Sequence, residues 1–332
     1  MPFYGYNTML SAYFTHSDVN SGTIGLGGQS FDVSGSGTFY GLRGTYLLPR
    51  AGDLVHNVSL AWDERYFKSN VAVGGTPLPA STVGSRPLTF RYAGRVEREQ
   101  IAFAGYGEYA VNLDGGRSNN DTAYALARPG SDTNWDAIRY GFDANYAVGA
   151  QWSVNGRFRG QYADEPLIPG EQIGIAGSNA VRGFREREIT GDKGYYVNLE
   201  AHGPSFAWNI APLVFYDFGH RTHVTPVIGS SPSENISSAG AGLRWRWQRI
   251  DMSVTWAHVL EGAAILAQAQ EDLVAERFDV PAQALHRIAA AQHRDPKREH
   301  DEPGSRSHQR KLRMSTKWPA IAAAAAIAGL TR

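Results

Sequence analysis

The chain has 332 residues, no cysteine and a formal net charge of +0 at pH 7. The lack of cysteine excludes disulfides and thiolate metal sites, and the balanced charge argues against a general nucleic-acid-binding protein. Its 37 glycines, 16 tyrosines, 14 phenylalanines and 8 tryptophans suit an all-β protein with close strand packing and aromatic girdles at a membrane interface.

The sequence does not predict a membrane-spanning helix. No apolar run reaches the roughly 18 residues that such a helix needs, and the mean hydropathy is −0.35. Strands of a membrane barrel are compatible with this value, because their alternating faces average out along the chain. Met1 leads almost directly into strand-like sequence, without a signal peptide. For an outer-membrane protein, we therefore expect the natural N-terminus to lie upstream.

Apolar and polar residues alternate with a period of two in many segments, as in a barrel wall between lipid and a wet lumen. In one clear case Leu243, Trp245 and Trp247 share a face, and Arg244 and Arg246 share the other. The pattern predicts about eleven strands of roughly 9–16 residues, against the 9–11 needed to cross a bilayer. They lie near 6–17, 32–47, 54–69, 86–97, 99–112, 135–148, 150–163, 192–203, 206–218, 237–248 and 249–260.

The connections between these strands alternate between long and short. Bacterial outer-membrane barrels show this rhythm, with long outer loops and short periplasmic turns. A soluble β-sandwich is the alternative, but its strands are usually about 5–6 residues long. We therefore predict a transmembrane antiparallel β-barrel. The long connections are 18–31, 70–85, 113–134, 164–191 and 219–236, and the short ones are 48–53, 98, 149, 204–205 and 248–249.

The alternation stops after Gly262, which divides the chain into a barrel portion, 1–262, and a tail, 263–332. Residues 263–292 are rich in helix-forming types, and 293–313 are charged and contain proline, as in disordered segments. The stretch from Met314 to Leu330 resembles the start of a signal peptide. We expect the tail to be helical or disordered and to come from a frameshift or readthrough.

The most distinctive segment is the long connection that includes Gly170 to Gly194. It contains Val181, Arg182, Gly183 and Phe184 in a row, and then Gly191, Asp192 and Gly194 at the lead into the next strand. A second short motif, with Phe215 and Asp217, follows in the strand after that. These residues resemble the sixth extracellular loop and the Phe-x-Asp motif of two-partner secretion transporters, the haemolysin secretion/activation proteins of the outer membrane.

The resemblance implies a sixteen-stranded barrel preceded by two periplasmic POTRA domains, of which this chain would hold about eleven strands. Family members have the loop between strands eleven and twelve, and here it follows the seventh predicted strand. The resemblance therefore implies four strands before this chain and one after it.

By the same resemblance, the chain is a pore in the outer membrane of a Gram-negative bacterium. It would be a lipid-embedded monomer, without enzymatic activity or a cofactor, that secretes one large exoprotein of haemolysin, haemagglutinin or adhesin type. Two alternatives remain open. One is a barrel-assembly factor of the same superfamily, which shares the loop motif, and the other is a passive porin, which has no need of the arginine.

A contact between Arg182 and Asp217 is predicted from the strand pattern and the resemblance together. Asp217 shares its strand face with Leu213 and Phe215, opposite Val214 and Tyr216, and this places it in the lumen. The sixth loop of the family folds back into the lumen, where a guanidinium can bind a carboxylate through two parallel hydrogen bonds. Gly183 would allow close approach to the wall. The alternatives are a surface-loop arginine and an aspartate that only ends a strand.

The other charged residues suggest no catalytic or metal site. Lumen arginines are expected to pair with Asp143, Glu200 and Asp251, although an anionic substrate is a second reading; they are Arg139, Arg157, Arg159, Arg244 and Arg246. His220 and His223 have a spacing that could hold a metal, but no third ligand is evident, so we expect no metal site. The sequence contains no nucleophile elbow or phosphate-binding loop.

Overall fold

The computed structural model of the chain describes residues 2–3, 7–26, 29–73, 76–77, 81–149, 151–226, 231–247, 250–262 and 274–279. The strands are β1 (Pro2–Phe3), β2 (Thr8–Leu26), β3 (Gln29–Leu47), β4 (Leu54–Val73), β5 (Thr76–Pro77), β6 (Ser81–Ser85), β7 (Pro87–Glu97), β8 (Ile101–Asn112), β9 (Asp136–Val148), β10 (Trp152–Tyr162), β11 (Ile173–Gly174), β12 (Thr190–Gly191), β13 (Lys193–His202), β14 (Ile210–Thr222), β15 (Ser233–Trp247), β16 (Ile250–Glu261) and β17 (Val274–Asp279). Helix α1 spans Asp121–Ala127, and a 3₁₀ turn spans Ala207–Asn209.

One antiparallel sheet contains all of these strands except β11 and β12, which pair with each other. Each long strand pairs with the next long strand in the chain, in the order β2-β3-β4-β7-β8-β9-β10-β13-β14-β15-β16. The short strands β5 and β6 pair with β4. This sheet of long, sequentially paired strands confirms the predicted all-β antiparallel architecture.

Three predicted long connections differ from the structure. Residues 70–85 include the end of β4 and the short strands β5 and β6. Residues 18–31 mostly belong to the strands β2 and β3, which pair from Thr8↔Tyr46 to Leu26↔Gln29 with one register shift between Asn20 and Gly22. The Gly- and Ser-rich composition suggested a loop, but pairing between neighbouring strands supplies partners for the backbone and overrides weak local preference. Residues 113–134 contain α1, whose first turn is capped by the Asn120 side chain accepting from the Ala123 N–H.

The two faces of the sheet differ in chemistry, as the alternation predicted. One face carries large exposed apolar side chains, such as Phe14, Leu60, Val214 and Trp256. An exposed apolar surface of this extent is what a lipid-facing barrel wall presents. The other face carries charged and polar side chains and is partly covered by the loop between β10 and β13. Leu213, Phe215 and Asp217 of β14 lie on this covered face and are buried.

Adjacent residues of β16 test the assignment of the faces. Val254 is exposed and Thr255 half-buried, at nearly the same depth on opposite faces. We expect Val254→Arg to lower the free energy of unfolding in a lipid bilayer by about 2–4 kcal/mol, because a guanidinium then meets hydrocarbon. Thr255→Arg is the matched control and should cost less than about 1 kcal/mol, because it faces water. Denaturant titration in vesicles measures both, and equal losses would contradict the assignment.

The described part of the predicted tail differs from our expectation. Residues Val274–Asp279 form β17, which pairs antiparallel with β16 from Asp251↔Asp279 to Trp256↔Val274. The physical reason lies in β16, whose outer edge presents N–H and C=O groups that a further segment can bond. Residues 263–273 and 280–332 lie outside the described residues. No helix among the residues that the structure describes is long and apolar enough to cross a membrane.

Candidate functional site

The loop between β10 and β13 lies against the polar face of the sheet and packs there through an apolar cluster. Its buried members Ile175, Ala176, Val181, Phe184 and Ile189 meet Ile236 of β15. Tyr196 of β13 and Val259 of β16 pack against the same cluster. Burial of these side chains holds the loop against the wall, because each would otherwise expose apolar surface to water.

A compact turn brings Arg182 to the wall. The Gly177 N–H donates to the Val181 carbonyl at 3.0 Å, and the Val181 N–H donates to the Ile175 carbonyl at 3.0 Å. Gly177 and Gly183 have φ angles of +123° and +94°, a region that favours glycine. The turn therefore ends with Val181 buried between the loop and the wall, and with Arg182 directed at β14.

The Arg182 guanidinium binds Asp217 in the bidentate geometry that the sequence predicted. Its Nε donates to Asp217 Oδ2 at 2.6 Å and its Nη2 to Asp217 Oδ1 at 2.7 Å. The Arg182 backbone N–H also donates to Oδ2, at 3.1 Å. Asp217 is 0% exposed. A carboxylate that is fully withdrawn from water depends on these donors, so the contact strongly orders the tip of the loop.

Three further side chains complete the binding site of Arg182. The guanidinium lies 3.5 Å from the centroid of the Phe215 ring, a cation–π contact. Its Nη1 donates to Glu200 Oε1 at 2.6 Å, and Glu200 Oε2 lies 3.0 Å from His202 Nε2. Asn198 Nδ2 donates both to Asp217 Oδ1 at 2.8 Å and to the Ala180 carbonyl at 2.6 Å. The site therefore binds both the Arg182 side chain and the backbone beside it.

Gly183 lies where a larger residue would separate the loop from the wall. A Cβ at this position would come within 3.0 Å of Val259 Cγ2 and 3.5 Å of Ala257 Cβ, both on β16. The positive φ adds backbone strain for any other residue.

We expect Gly183→Ala to weaken the Arg182–Asp217 contact by about 1–3 kcal/mol, the usual cost of a non-glycine residue in a strained conformation. Protease cleavage within the loop should become faster. The Gly52→Ala variant is the matched control, since Gly52 also has a positive φ, of 60°, but has no atom within 4 Å of its Cβ position. Equal effects of the two variants would show that crowding against β16 is unimportant.

The second half of the predicted motif, around Asp192, lies in a different place and has its own arginine. Arg128, in the connection that contains α1, donates through Nη1 to Asp192 Oδ1 and through Nη2 to Oδ2, the latter at 2.7 Å. The backbone N–H groups of Leu167 and Val224 also donate to this carboxylate, each at 2.9 Å. Burial raises the pKa of Asp192, but the neighbouring His223, Arg128 and backbone donors outweigh it and hold the pKa well below its ordinary value.

Arg128 joins two loops into one packed unit. Its Nη1 also donates to the Leu167 carbonyl at 2.7 Å. Tyr124 of α1 is buried in a cluster with Trp135, Leu167 and Ile168. The connection 113–134 is thus fixed to the loop that carries Arg182 by both apolar packing and a buried ion pair.

The glycines of the motif allow close approach at the end of the loop. A Cβ at Gly191 would lie 2.9 Å from Arg221 Cβ, and one at Gly194 would lie 2.6 Å from the His220 carbonyl oxygen. Both glycines are opposite the end of β14. They let β12 and β13 lie against that strand, which also contains Asp217.

The structure corrects one predicted ion pair and adds residues that the sequence did not indicate. Arg157 and Arg159 do pair with Asp143, and Arg244 and Arg246 with Asp251. Arg139 instead pairs with Glu171 of the loop and with Glu108, because the loop folds over its strand. Glu200 pairs with Arg182. The residues missed were Arg128, Asn198, Glu171 and the role of Glu200; only the polar-face position of Asn198 and Glu200 was a usable signal.

The structure shows no metal site among the residues that it describes: no group of three or more His, Cys, Asp or Glu side chains there could hold a metal ion. His220 Nδ1 lies 2.7 Å from Asn235 Oδ1, and His223 Nδ1 lies 3.8 Å from Asp192 Oδ2. His220 is thus bonded to a residue of the neighbouring strand, whereas His223 Nδ1 is buried beside Asp192 without a hydrogen bond to any described residue.

Comparisons with known proteins agree on one family. The family model described as "Haemolysin secretion/activation protein ShlB/FhaC/HecB" matches residues 2–245. The "Hemolysin transporter protein ShlB" of Serratia marcescens is 26% identical over 268 residues, which cover 76% of this chain and 44% of that protein. The chain therefore spans less than half the length of this relative.

Solved structures share the fold. "CdiB from Escherichia coli" superimposes with a TM-score of 0.60 at 18% identity, over 82% of this chain and 49% of that one. BamA from Haemophilus ducreyi, in a form lacking POTRA domains 1–3, gives a TM-score of 0.50 at 11% identity, over 80% of this chain and 60% of that one. At these identities the likeness supports the barrel fold alone.

Proposed function

Because the chain belongs to the haemolysin secretion/activation protein family ShlB/FhaC/HecB, we propose that it forms the pore through which a large exoprotein leaves the cell. The family and the structural neighbours are outer-membrane β-barrel proteins, so this is an outer-membrane barrel of a Gram-negative bacterium. The family match over residues 2–245 is the observation that carries the proposal. The exported partner would be a haemolysin, haemagglutinin or adhesin.

The geometry of the loop supports a gated pore rather than a passive one. A porin requires an open water-filled lumen, whereas here a loop with a buried apolar cluster and a bound arginine lies on the polar face. The loop is held on that face by the ion pairs of Arg182 with Asp217 and Glu200 and by the hydrogen bond from Asn198 to the Ala180 carbonyl. Export of an unfolded chain would require the loop to leave this position, a movement that breaks the contacts of Arg182 with Asp217 and Glu200.

The barrel-assembly alternative remains the second candidate, because the BamA structure shares the fold. The family match and the similarity to a hemolysin transporter favour secretion. If the function is secretion, the export of one exoprotein requires this protein. If the function is barrel assembly, the insertion of many unrelated barrels requires it.

The test expresses the longest open reading frame that contains this sequence in a Gram-negative host, together with candidate exoproteins encoded beside it. We expect one exoprotein to appear in the medium only when the transporter is present, with unchanged levels of other outer-membrane barrels. Loss of many barrels on depletion, without a specific loss of export, would support the assembly function instead. A host that expresses Asp217→Ala controls for leakage from damaged membranes.

A further inference from the structure

Glu171, at the start of the loop, is held by a second ion-pair cluster at the opposite side of the loop from Arg182. Its Oε2 accepts from Arg65 Nη1 and from Arg139 Nη2, each at 2.9 Å. Its Oε1 accepts from the Ser85 hydroxyl at 2.6 Å. We call Glu171, Arg65, Arg139 and Ser85 the Glu171 cluster. It joins the loop to β4, β6 and β9, whereas Arg182 joins it to β13 and β14.

The Glu171 cluster is built for an ionised carboxylate. Glu171 is 2% exposed. Arg65 is shared with Asp63 at 2.6 Å, and Arg139 with Glu108 at 3.6 Å. If Glu171 left the cluster, Arg139 would keep only the longer of its two carboxylate contacts. Removing the carboxylate therefore leaves a positive charge poorly compensated in a confined site.

The backbone links this cluster to the rest of the loop. Gln161 Nε2, on β10, donates to the Glu171 carbonyl at 3.1 Å and to the Asp192 carbonyl at 3.2 Å. Arg139 Nε donates in turn to Gln161 Oε1 at 2.9 Å. One glutamine thus holds the beginning and the end of the loop together, next to Glu171. Displacement at Glu171 is transmitted to both ends of the segment that carries Arg182.

We propose that Glu171 is a positioning residue that keeps the whole loop seated, so that Arg182 stays on Asp217, and that it must release before the pore opens. The loop is then attached to the wall at two separate places, the Glu171 cluster and the Arg182 contact. Each attachment restrains the other, because one loop backbone joins them and packs on the wall through the apolar cluster between them. This proposal concerns the position of the loop and does not depend on which exoprotein is exported.

The absence of cysteine from the chain provides a clean reporter. Ser238 of β15 is 0% exposed, and a Cβ at Gly183 would lie 4.0 Å from the Ser238 Cβ. In Ser238→Cys, the thiol replaces the hydroxyl with little change of shape, and the tip of the loop covers it. Its rate of reaction with a membrane-impermeant maleimide in outer-membrane vesicles therefore measures how often the tip leaves the wall. Arg182→Ala in this background is the positive control.

In the Ser238→Cys background we expect Glu171→Gln to raise the reaction rate with the maleimide by about 10-fold or more. The reason is that the charged hydrogen bonds from Arg65 and Arg139 to Glu171 are lost. Glu171→Asp should restore part of the protection, since it keeps the charge. Glu186→Gln is the matched control: Glu186 lies in the same loop and its Oε1 accepts from the Ser178 N–H at 2.8 Å, within the loop. Its rate should stay within about twofold of the parent, because an exposed hydrogen bond contributes little.

Ser85→Ala is a milder second variant, which removes one hydrogen bond to Glu171 and should raise the rate by roughly threefold. Circular dichroism of each variant establishes that the sheet has formed. The proposal is overturned if both Glu171→Gln and Ser85→Ala leave the rate unchanged in folded protein. It is also overturned if Glu186→Gln raises the rate as much as Glu171→Gln, since the effect would then be general loosening. Export assays play no part in either outcome, so a failure here is distinct from a failure of the secretion proposal.

Discussion

Export is expected to fall by about 10-fold or more when Arg182 is replaced by alanine, because the contact with Asp217 has to order the loop between openings as well as release it. The change removes this bidentate ion pair and leaves Asp217 buried without its main partner. Asp217 is 0% exposed and accepts hydrogen bonds from Nε and Nη2 of Arg182 at 2.6 and 2.7 Å. Arg182→Lys should give an intermediate result, since an ammonium cannot match both carboxylate oxygens. The measurement is the amount of exoprotein in the medium per amount of assembled barrel.

The double mutant decides whether Arg182 and Asp217 act as one unit. Asp217→Ala should reduce export to a similar degree, although Arg182 then keeps Glu200 at 2.6 Å. The combination of the two changes should be clearly less than additive, because the second change removes a partner that is already lost. Independent, multiplicative decreases would show that the pair is not a functional unit.

Arg185→Ala is the matched control for Arg182→Ala. Arg185 is an exposed arginine of the same loop, and interactions of an exposed charge contribute little because water screens them. Export should be nearly unchanged in this variant. If Arg185→Ala reduced export as strongly as Arg182→Ala, the net charge of the loop would be responsible, and the contact with Asp217 would not.

The second large effect is expected from Arg128→Ala, which should destabilise the packed unit of the two loops by about 3–5 kcal/mol, because it leaves a buried carboxylate unpaired. Arg128 and Asp192 have side-chain exposures of 5% and 0%. Hydrogen exchange of the amides in 113–134 and 164–191 measures this change directly. Asp192→Asn keeps the shape and should have a comparable effect, because Arg128 is then the unpaired charge.

The pH dependence of this pair follows from the depressed pKa of Asp192. The folded-state pKa lies below the unfolded value of about 3.9, so the pair contributes its full stability above that value. The contribution is lost as the pH falls through the folded pKa. The difference in protection between the parent chain and Arg128→Ala should therefore be constant from about pH 6 to pH 8 and shrink below about pH 4. A difference that grew on acidification would contradict a depressed pKa.

Local alternation accounts for what the sequence determined about the wall. A strand places successive side chains on opposite faces, so a period of two reveals both the strand and the face of each residue. The eleven long strands could therefore be predicted, as could the burial of Leu213, Phe215 and Asp217 on one face. The pairing of consecutive strands follows from the short connections. The strand pattern placed Asp217 on the polar face, and the family resemblance, which implies a loop folded into the lumen, was needed to match it with Arg182.

Tertiary structure alone decided which other charges meet the loop. Arg128 and Asp192 are separated by 64 positions, and Arg65 and Glu171 by 106, and no periodic pattern relates them. These contacts depend on how far the sheet curves and how deeply the loop descends, which are properties of the whole assembly of strands. The charge at each position was visible in the sequence. The partner of each charge depends on the path of a loop that buries its apolar residues against distant strands. No short stretch of sequence indicates that path.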